Sequence, residues 1–327
     1  MNFPENIYLL SFLGALLASA GSLPLWRAWC ERSGHVDAPG HRKIHQAPVP
    51  LAGGLAVFTG LALVVLGGTA AVGLELLHPD AVDRLGYGLG KRAPQLLAIF
   101  AGAFGMVLLG WWDDRHELRP SVKFAGQLAV ALLVAASGVR ITLFVPSLLF
   151  SYAATVLWIL TVTNALNFND NMNGLCGGLG LIAIGWIAWH AAAHGQYLVA
   201  SLALLAAGAL AGFLPYNFPR ASVFLGDAGS HLVGYLLAVL AILPHFYSAR
   251  QDEPTRLAVL NPVLILAVPL LDLASVVWLR TRASKPFWIG DTNHLSHRLV
   301  RAGLSKPQAV LVLWLAAFVG GAVTLAW

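Results

Sequence analysis

Long apolar stretches recur along the whole 327-residue chain, and they restrict its fold more than any other feature. Each approaches or reaches the roughly 17–25 residues that a helix needs to cross a bilayer. Only 11% of the residues are charged, far below the roughly 25% of a soluble domain. We therefore predict an all-α, polytopic integral membrane protein whose single domain is 1-327. The ten predicted transmembrane helices are 6–26, 51–73, 93–112, 121–138, 142–163, 175–193, 196–214, 229–246, 258–279 and 307–327.

The distribution of Lys and Arg predicts the orientation of these spans. An even number of spans places both termini on one side. Of the 20 Lys and Arg residues, 14 fall in one set of alternate loops, and cytoplasmic loops carry the excess of positive charge. Both termini are therefore predicted to lie outside. The predicted cytoplasmic loops are 27–50, 113–123, 164–174, 215–228 and 280–306.

Three further predictions concern the start of the chain, its two cysteines and its basic pI. The chain start carries Glu5 and no basic residue, unlike a secretory signal peptide, so the first span is predicted to be retained. Cys30 and Cys176 lie at predicted cytoplasmic ends of spans, where a disulfide is not expected. The pI of about 9.4 is explained by the loop charges, and nucleic acid is not a predicted partner.

Polar segments that conflict with the apolar composition all fall on the predicted cytoplasmic side. The most unusual is NALNFNDNMNG at 164–174. A buried amide or carboxylate without a partner costs about 1–3 kcal/mol, and non-helical polar backbone at membrane depth is tolerated where it lines a water-filled cavity. These segments therefore predict one active site on the cytoplasmic face.

The adjacent carboxylates Asp113 and Asp114 end one predicted span. Neighbouring residues on a helix point about 100° apart, so two roles are expected: a base or nucleophile beside a metal-holding or orienting carboxylate. Pro120 suits the first turn of the next helix and places Lys123 near that N-terminus, ready for phosphate. Taken alone, a charged juxtamembrane loop explains these residues equally well.

Asp227 lies in the segment LGDAGS at 225–230, immediately before an apolar helix. Its neighbours Gly226 and Gly229 permit close backbone approach, and a helix N-terminus attracts anions. A carboxylate there suits Mg²⁺, which binds through one or two carboxylates together with substrate phosphates. An N-cap aspartate between turn glycines is the simpler alternative.

Asn164, Asn167 and Asp170 are spaced three residues apart at the end of a predicted helix, so they share one face. Amides and a carboxylate can bind a polar head group or complete a metal's outer shell. Gly174 lets the chain turn back into the bilayer. Helix capping explains one or two of these residues and leaves the others without a role.

Two loops contain histidines beside basic residues. The loop at 36–54 contains HRKIH and fits anion binding or plain charge-directed topology. In the loop at 285–305, His294 and His297 lack a third zinc ligand nearby, and beside Arg298 they suit a diphosphate. Asp272 lies within the ninth span, where a charge is costly, so a functional or paired role is predicted.

The order of these segments resembles that in the polyprenyl-phosphate N-acetylhexosamine-1-phosphate transferases, the glycosyltransferase 4 family, which includes the phospho-MurNAc-pentapeptide translocases. The resemblance covers nearly the whole chain and its ten-span layout. Motif by motif, the residues that carry it are Asp37, HRKIH at 41–45 and PLAGG at 50–54; DDRHEL at 113–118 with Lys123 and Gln127; Asn164, Asn167, Asp170 and Gly174; LGDAGS at 225–230; and DTNHLSHRL at 291–299.

Three positions depart from the family's motifs. Asn171 stands where the family has Gly, Asn173 where it has a second Asp, and Ser296 where it has the middle His. Asn173 lacks the charge that an aspartate would offer to a nucleotide base or head group. These departures bear on nucleotide recognition and sugar specificity more than on phosphoryl transfer.

The resemblance implies transfer of a sugar 1-phosphate, an N-acetylhexosamine 1-phosphate, from a UDP-sugar to polyprenyl (undecaprenyl) phosphate with release of UMP. This is a first membrane step of cell-envelope polysaccharide synthesis, at the bacterial inner membrane. Expected partners are both substrates and membrane lipid, with a homodimer as an assembly to test. The implied cofactor is Mg²⁺, replaceable by Mn²⁺. The implied site comprises Asp227 for metal, Asp113, Asp114 and Asp170 for catalysis, and Arg42, Lys43, His45, Lys123, Asn164, Asn167, Asn173, His294, His297 and Arg298 for substrate.

Three other functions are alternatives to a transferase. A lipid-linked sugar flippase or secondary transporter could also have ten spans, but transporters place polar residues near the midplane and show repeats. Here the polar residues collect at one face, with Asp272 the exception. A non-catalytic scaffold would not need the four carboxylates. A CDP-alcohol phosphotransferase would carry D-G-x-x-A-R, which the sequence lacks.

Overall fold

The computed structural model describes residues 3–38, 47–244, 256–286 and 291–326, and within these ranges most of the chain is helical. A 3₁₀ helix, Arg256–Leu260, leads directly into α9. The α-helices are α1 Glu5–Ser33, α2 Gly53–Gly73, α3 Pro79–His116, α4 Pro120–Ala136, α5 Leu148–Phe168, α6 Leu175–Ala193, α7 Tyr197–Asn217, α8 Gly226–Leu240, α9 Asn261–Ile265, α10 Ala267–Arg282, α11 Leu295–Arg301 and α12 Lys306–Val323.

The described strands form a single two-stranded ribbon between α1 and α2. Strands β1 (Val36–Asp37) and β2 (Val49–Pro50) pair antiparallel, with Val36 opposite Pro50 and Asp37 opposite Val49. The ribbon therefore brackets the predicted basic loop. Its residues Arg42, Lys43 and His45 lie outside the described residues.

Among the described residues, seven helices are long and apolar enough to cross a membrane, and an eighth span results if α9 and α10, bent by 72°, count as one. The membrane-protein prediction is confirmed. The two remaining predicted spans correspond to α4 and α8, which have 17 and 15 residues. The count of ten therefore stays a prediction. The seven helices are α1, α2, α3, α5, α6, α7 and α12.

Helix α3 differs most from its predicted span. It begins at Pro79, whereas the apolar stretch begins at residue 93, so the predicted loop 74–92 contains three helical turns or more. Arg84, Lys91 and Arg92 give this part its polar character. A hydropathy criterion does not detect this part of the helix, because it scores the preference of side chains for lipid and not the backbone hydrogen bonds that form a helix.

The outer surface of the bundle is apolar. Leu17, Leu25 and Leu149 are 67%, 74% and 81% exposed. Single exposed leucines are common on soluble proteins, but contiguous apolar helix faces of this kind mark contact with lipid or protein. The hydrocarbon of a bilayer is the solvent that these faces fit.

Helix α8 forms the centre of the bundle. All its residues except Asp227 are buried, and it packs against α3 and α5 and also touches α2 and α6. A methyl group at Gly54 would collide with the backbone of Gly229, so α2 and α8 meet backbone to backbone. This contact fixes the position of the α8 N-terminus, where Asp227 lies.

Several local predictions hold. Pro120 is the first residue of α4, and Gly174 adopts a positive φ of 77° where the chain reverses into α6. An L-residue with a side chain would be strained in this conformation. Cys30 and Cys176 are both free and buried.

Candidate active site

A cavity of about 1050 Å³ lies where α3, α4, α5 and α8 present their polar ends. The ends come from helices of alternating direction, so residues far apart in sequence meet at one end of the bundle. Most of the predicted carboxylates and amides line it. Its polar and charged lining residues are Asp37, Asp113, Asp114, Glu117, Lys123, Asn167, Asp170, Asn171, Asn173, Asn217, Arg220, Asp227 and Lys306.

Asp114 holds the start of α8. Its Oδ1 accepts the backbone N–H of Asp227 at 2.8 Å and its Oδ2 accepts that of Ala228 at 3.2 Å. The first N–H groups of a helix have no partner within the helix, and no side chain of α8 itself caps them. Asp114 therefore caps α8 from another helix. Gly226 is required beside it, because a Cβ there would lie 2.8 Å from Asp114 Oδ2.

Asp113 and Asp227 share one lysine. Lys123 forms ion pairs with Asp113 Oδ2 and, at 3.4 Å, with Asp227 Oδ2. The other oxygen of Asp113 accepts the backbone N–H of Leu118 at 2.8 Å. The ammonium thus lies between two carboxylates that line the cavity. The predicted separation of roles within the aspartate pair fits this geometry, because Asp113 faces Lys123 while Asp114 faces the backbone of α8.

Asn167 orients Asp227 from the side of α5. Its amide Nδ2 donates to Asp227 Oδ1 at 2.6 Å and to Ser230 Oγ at 2.9 Å. Asn164, one turn earlier, instead donates to Gln127 Oε1 at 2.7 Å and does not line the cavity. The two asparagines share a helix face as predicted, but only Asn167 reaches the cavity.

Asp170 brings a further carboxylate to the cavity beside Asp113 and Asp227. It follows α5 and lines the cavity. Its backbone N–H donates to the carbonyl of Asn167 at 3.1 Å, but its carboxylate has no hydrogen-bond partner among the described residues. Burial, and then the negative charge of Asp227, raise the pKa of Asp170 to about 8. A carboxylate in this position would be stabilised in its charged form by a cation.

The charges around the cavity do not balance. Among the described lining residues, six are acidic and only three, Lys123, Arg220 and Lys306, are basic. Like charges confined at short range repel each other strongly in a partly buried site. A phosphate-bearing ligand would add further negative charge, so the described residues require additional cations to accommodate one.

The donor set fits a magnesium ion. No group of three or more His, Cys, Asp or Glu side chains that could hold a metal occurs in the part of the chain that the structure describes. Mg²⁺ does not need such a cage, because it usually keeps several waters and binds through one or two carboxylates and substrate phosphates. Asp227, whose side chain is 31% exposed, and the unpaired carboxylate of Asp170 supply suitable oxygens.

The histidine segment lies in the wall beside the cavity. His294, His297 and Arg298 are not among the residues that line it. The sequence predicted a functional or paired role for Asp272. His294 Nδ1 hydrogen-bonds Asp272 Oδ2 at 2.7 Å, so Asp272 is paired, with a residue outside its own span.

The positions that depart from the family motif interact locally. Ser296 donates to Asn171 Oδ1 at 2.6 Å, and Asn171 donates to the carbonyl of Phe168 at 2.7 Å. Two of the three residues that differ from the family motifs are therefore hydrogen-bonded to each other. Asn173 lines the cavity, and its side chain makes a 3.4 Å hydrogen bond to the carbonyl of Pro219.

Three cavity residues were not singled out from the sequence. Asn217 is buried; it accepts the N–H of Gly174 at 2.6 Å and donates to the carbonyl of Val223 at 2.9 Å, which ties the ends of α6 and α7 to the loop before α8. Arg220 and Lys306 bring positive charge to the rim. Nothing in the local sequence distinguishes these two cations from other loop residues, so the sequence indicates only their contribution to the charge bias of the loops.

The comparisons with known proteins agree with this arrangement. The family model for glycosyl transferase family 4 matches residues 96–245, which include both aspartates of the pair and Asp227. A probable undecaprenyl-phosphate N-acetylglucosaminyl 1-phosphate transferase of Bacillus subtilis is 34% identical over 94% of this chain and 82% of its own length.

Two further relatives carry similar names. The decaprenyl-phosphate N-acetylglucosaminephosphotransferase of Mycobacterium tuberculosis is 33% identical over 95% of this chain and 80% of its own. The undecaprenyl-phosphate alpha-N-acetylglucosaminyl 1-phosphate transferase of Escherichia coli K12 is 28% identical over 89% and 76%. Because it is 34% identical to one of these relatives over 94% of its own length and 82% of the relative's, the chain belongs to glycosyl transferase family 4.

Proposed function

We propose that this protein transfers an N-acetylhexosamine 1-phosphate from a UDP-sugar to a polyprenyl phosphate, leaving a lipid diphosphate-sugar and UMP. The observation that carries the proposal is the cavity in which Lys123 joins Asp113 to Asp227 beside the unpaired Asp170. Relatives named as N-acetylglucosaminyl 1-phosphate transferases support the same donor class.

The proposed reaction forms one P–O bond and breaks another. An oxygen of the lipid phosphate attacks the phosphorus that bears the sugar, and the bond to the UMP oxygen breaks. Phosphoryl transfer of this kind depends chiefly on positioning and charge neutralisation. Asp113 accepts a proton from the lipid phosphate or orients it, Lys123 binds phosphate oxygens, and Asp114 keeps Asp227 in place through the α8 backbone.

Magnesium is the proposed cofactor, with Mn²⁺ able to replace it. Asp227 would hold the ion, with Asp170 close by. When bound, the ion neutralises charge on the diphosphate of the donor. The acidic excess among the described lining residues supports this assignment.

Metal removal tests the cofactor directly. Exhaustive EDTA treatment is expected to abolish turnover, because the acidic cavity would then repel the donor diphosphate. Adding Mg²⁺ or Mn²⁺ should restore the rate, and Zn²⁺ should not be required. Turnover that persists after chelation would remove the metal role proposed for Asp227.

We also propose a location in the bacterial inner membrane with the cavity on the cytoplasmic side and both termini outside. The bias of 14 of the 20 Lys and Arg residues toward one set of loops supports this orientation. A reporter fused after the last residue is expected to be active only outside the cytoplasm. A cytoplasmic signal from this fusion would contradict the ten-span topology and the proposed side of the cavity.

The activity itself is tested with purified protein, undecaprenyl phosphate, Mg²⁺ and a panel of UDP-sugars. UMP release is expected to depend on both the lipid and the donor, with UDP-N-acetylhexosamines turned over fastest. Release of UMP with no lipid-linked product would indicate donor hydrolysis, and no release with any donor would contradict the proposal. A transporter function has no support from the relatives and is not proposed.

A further inference from the structure

A buried carboxylate–imidazole pair lies in the protein wall beside the cavity and is not part of its lining. Asp272 in α10 is 1% exposed and His294, just before α11, is 5% exposed. The ring Nδ1–H of His294 donates to Asp272 Oδ2 at 2.7 Å, and the backbone N–H of Leu295 donates to Oδ1 at 2.6 Å. Both oxygens of the carboxylate therefore hold the segment that begins with His294.

Neighbouring contacts place this pair against the cavity wall. The His294 ring meets the ring of Phe168 edge to face, with centroids 5.9 Å apart, and Phe168 ends α5 two residues before Asp170. Ser296 hydrogen-bonds the cavity-lining Asn171 at 2.6 Å. After α11, Lys306 lines the cavity again. His294 thus begins a segment whose later residues, Ser296 and Lys306, contact the cavity or its lining.

The carboxylate determines what the imidazole can offer a ligand. With Nδ1–H committed to Asp272, the remaining nitrogen is Nε2. A phosphate oxygen accepts hydrogen bonds, so the ring can bind one only as an imidazolium with an Nε2–H. A buried positive charge is costly unless it is paired, and Asp272 supplies the balancing charge.

We propose that Asp272 is a positioning residue for donor binding: it holds the His294 imidazole in one orientation and balances its charge, so that Nε2–H binds the donor diphosphate. This rests on the proposed function. The simpler alternative is that the pair only anchors α11 to α10. The two roles predict different effects on binding. Loss of an anchor would weaken the binding of a diphosphate and of a nucleoside equally, whereas loss of a positioning residue would weaken the binding of the diphosphate alone.

The test compares UDP with uridine as ligands of the purified full-length protein in Mg²⁺, measured by calorimetry. The isosteric change Asp272→Asn is expected to weaken UDP binding about tenfold or more, because one charge-assisted hydrogen bond is lost, and to leave uridine binding unchanged. His294→Ala should give a similar loss. The double variant should lose little more, because both changes remove one interaction.

Thr324→Val provides a matched control. It removes the hydroxyl that hydrogen-bonds another buried histidine, His190, at 2.7 Å in a region away from the cavity. This variant should bind UDP like the wild type. Equal losses of UDP and uridine binding in Asp272→Asn, or additive losses in the double variant, would overturn the positioning role in favour of an anchor.

A spectroscopic measurement covers the case in which Asp272→Asn does not fold. In ¹⁵N-histidine-labelled wild type, the His294 signals are identified by their absence in His294→Gln. Both ring nitrogens should be protonated when UDP and Mg²⁺ are bound, and an unprotonated Nε2 in the saturated complex would overturn the proposal. Wild-type protein that binds no UDP and releases no UMP would contradict the proposed function itself, whereas wild-type binding matched by Asp272→Asn would contradict the positioning role alone.

Discussion

Asp227→Asn is expected to lose Mg²⁺-dependent donor binding and turnover together, with turnover falling about 10²–10³-fold, the usual cost of removing one preorganised charge-stabilising group. The amide keeps the size of the carboxylate but not its charge. Folding should survive, because Asp114 caps α8 through backbone N–H groups rather than through the Asp227 side chain. Donor titration with and without Mg²⁺, followed by UMP release, measures both effects.

Glu31→Gln is the matched control for this experiment. It removes a carboxylate from an exposed pair with Arg27, away from the described cavity lining. Exposed pairs contribute little to stability, so this variant should behave as wild type. Donor binding by Asp227→Asn with an unaltered Mg²⁺ dependence would show that the metal is held elsewhere.

Asp113→Asn should separate binding from turnover. Its amide oxygen can still accept the N–H of Leu118, and Lys123 retains its contact with Asp227. Donor affinity is therefore expected to stay close to wild type. Turnover should fall about 10²-fold or more, the usual cost of losing a general base.

The two aspartate variants are thus distinguished by donor titration alone. If Asp113→Asn turns over at nearly the wild-type rate, the base is a different carboxylate, and the unpaired Asp170 is the next candidate. Restoring the family's aspartate by Asn173→Asp should change which UDP-sugar is preferred and should rescue neither variant.

Local signals accounted for much of the fold. Apolar length indicated the membrane class, Pro120 marked the first residue of α4, and the positive φ of Gly174 fits its predicted turn. The cost of a charge within a span correctly indicated that Asp272 is paired. Each of these inferences depends on residues that are neighbours in sequence or on a single residue's solvation.

The remaining features depend on tertiary contacts. α8 is buried in protein at all of its residues except Asp227, and the sequence does not distinguish burial in protein from contact with lipid. The capping role of Asp114 joins residues 113 positions apart. The partner of Asn164 is Gln127, 37 positions away, which no spacing rule indicates. The family pattern identified functional positions, but only the packing shows which of them line the cavity.

The position of Asp227 at the tip of α8 has a consequence for how this site can adapt. A Cβ at Gly110 would collide with the backbone of Asp227, just as one at Gly54 would collide with Gly229. The N-terminus of α8 is therefore in direct backbone contact with α3 on one side and with α2 on another. We expect adjustments to new substrates, whether during a reaction cycle or over evolution, to occur in the rim segments 169–174 and 218–225. The carboxylate of Asp227 would then keep its position while changes in these rim segments alter which donor is bound.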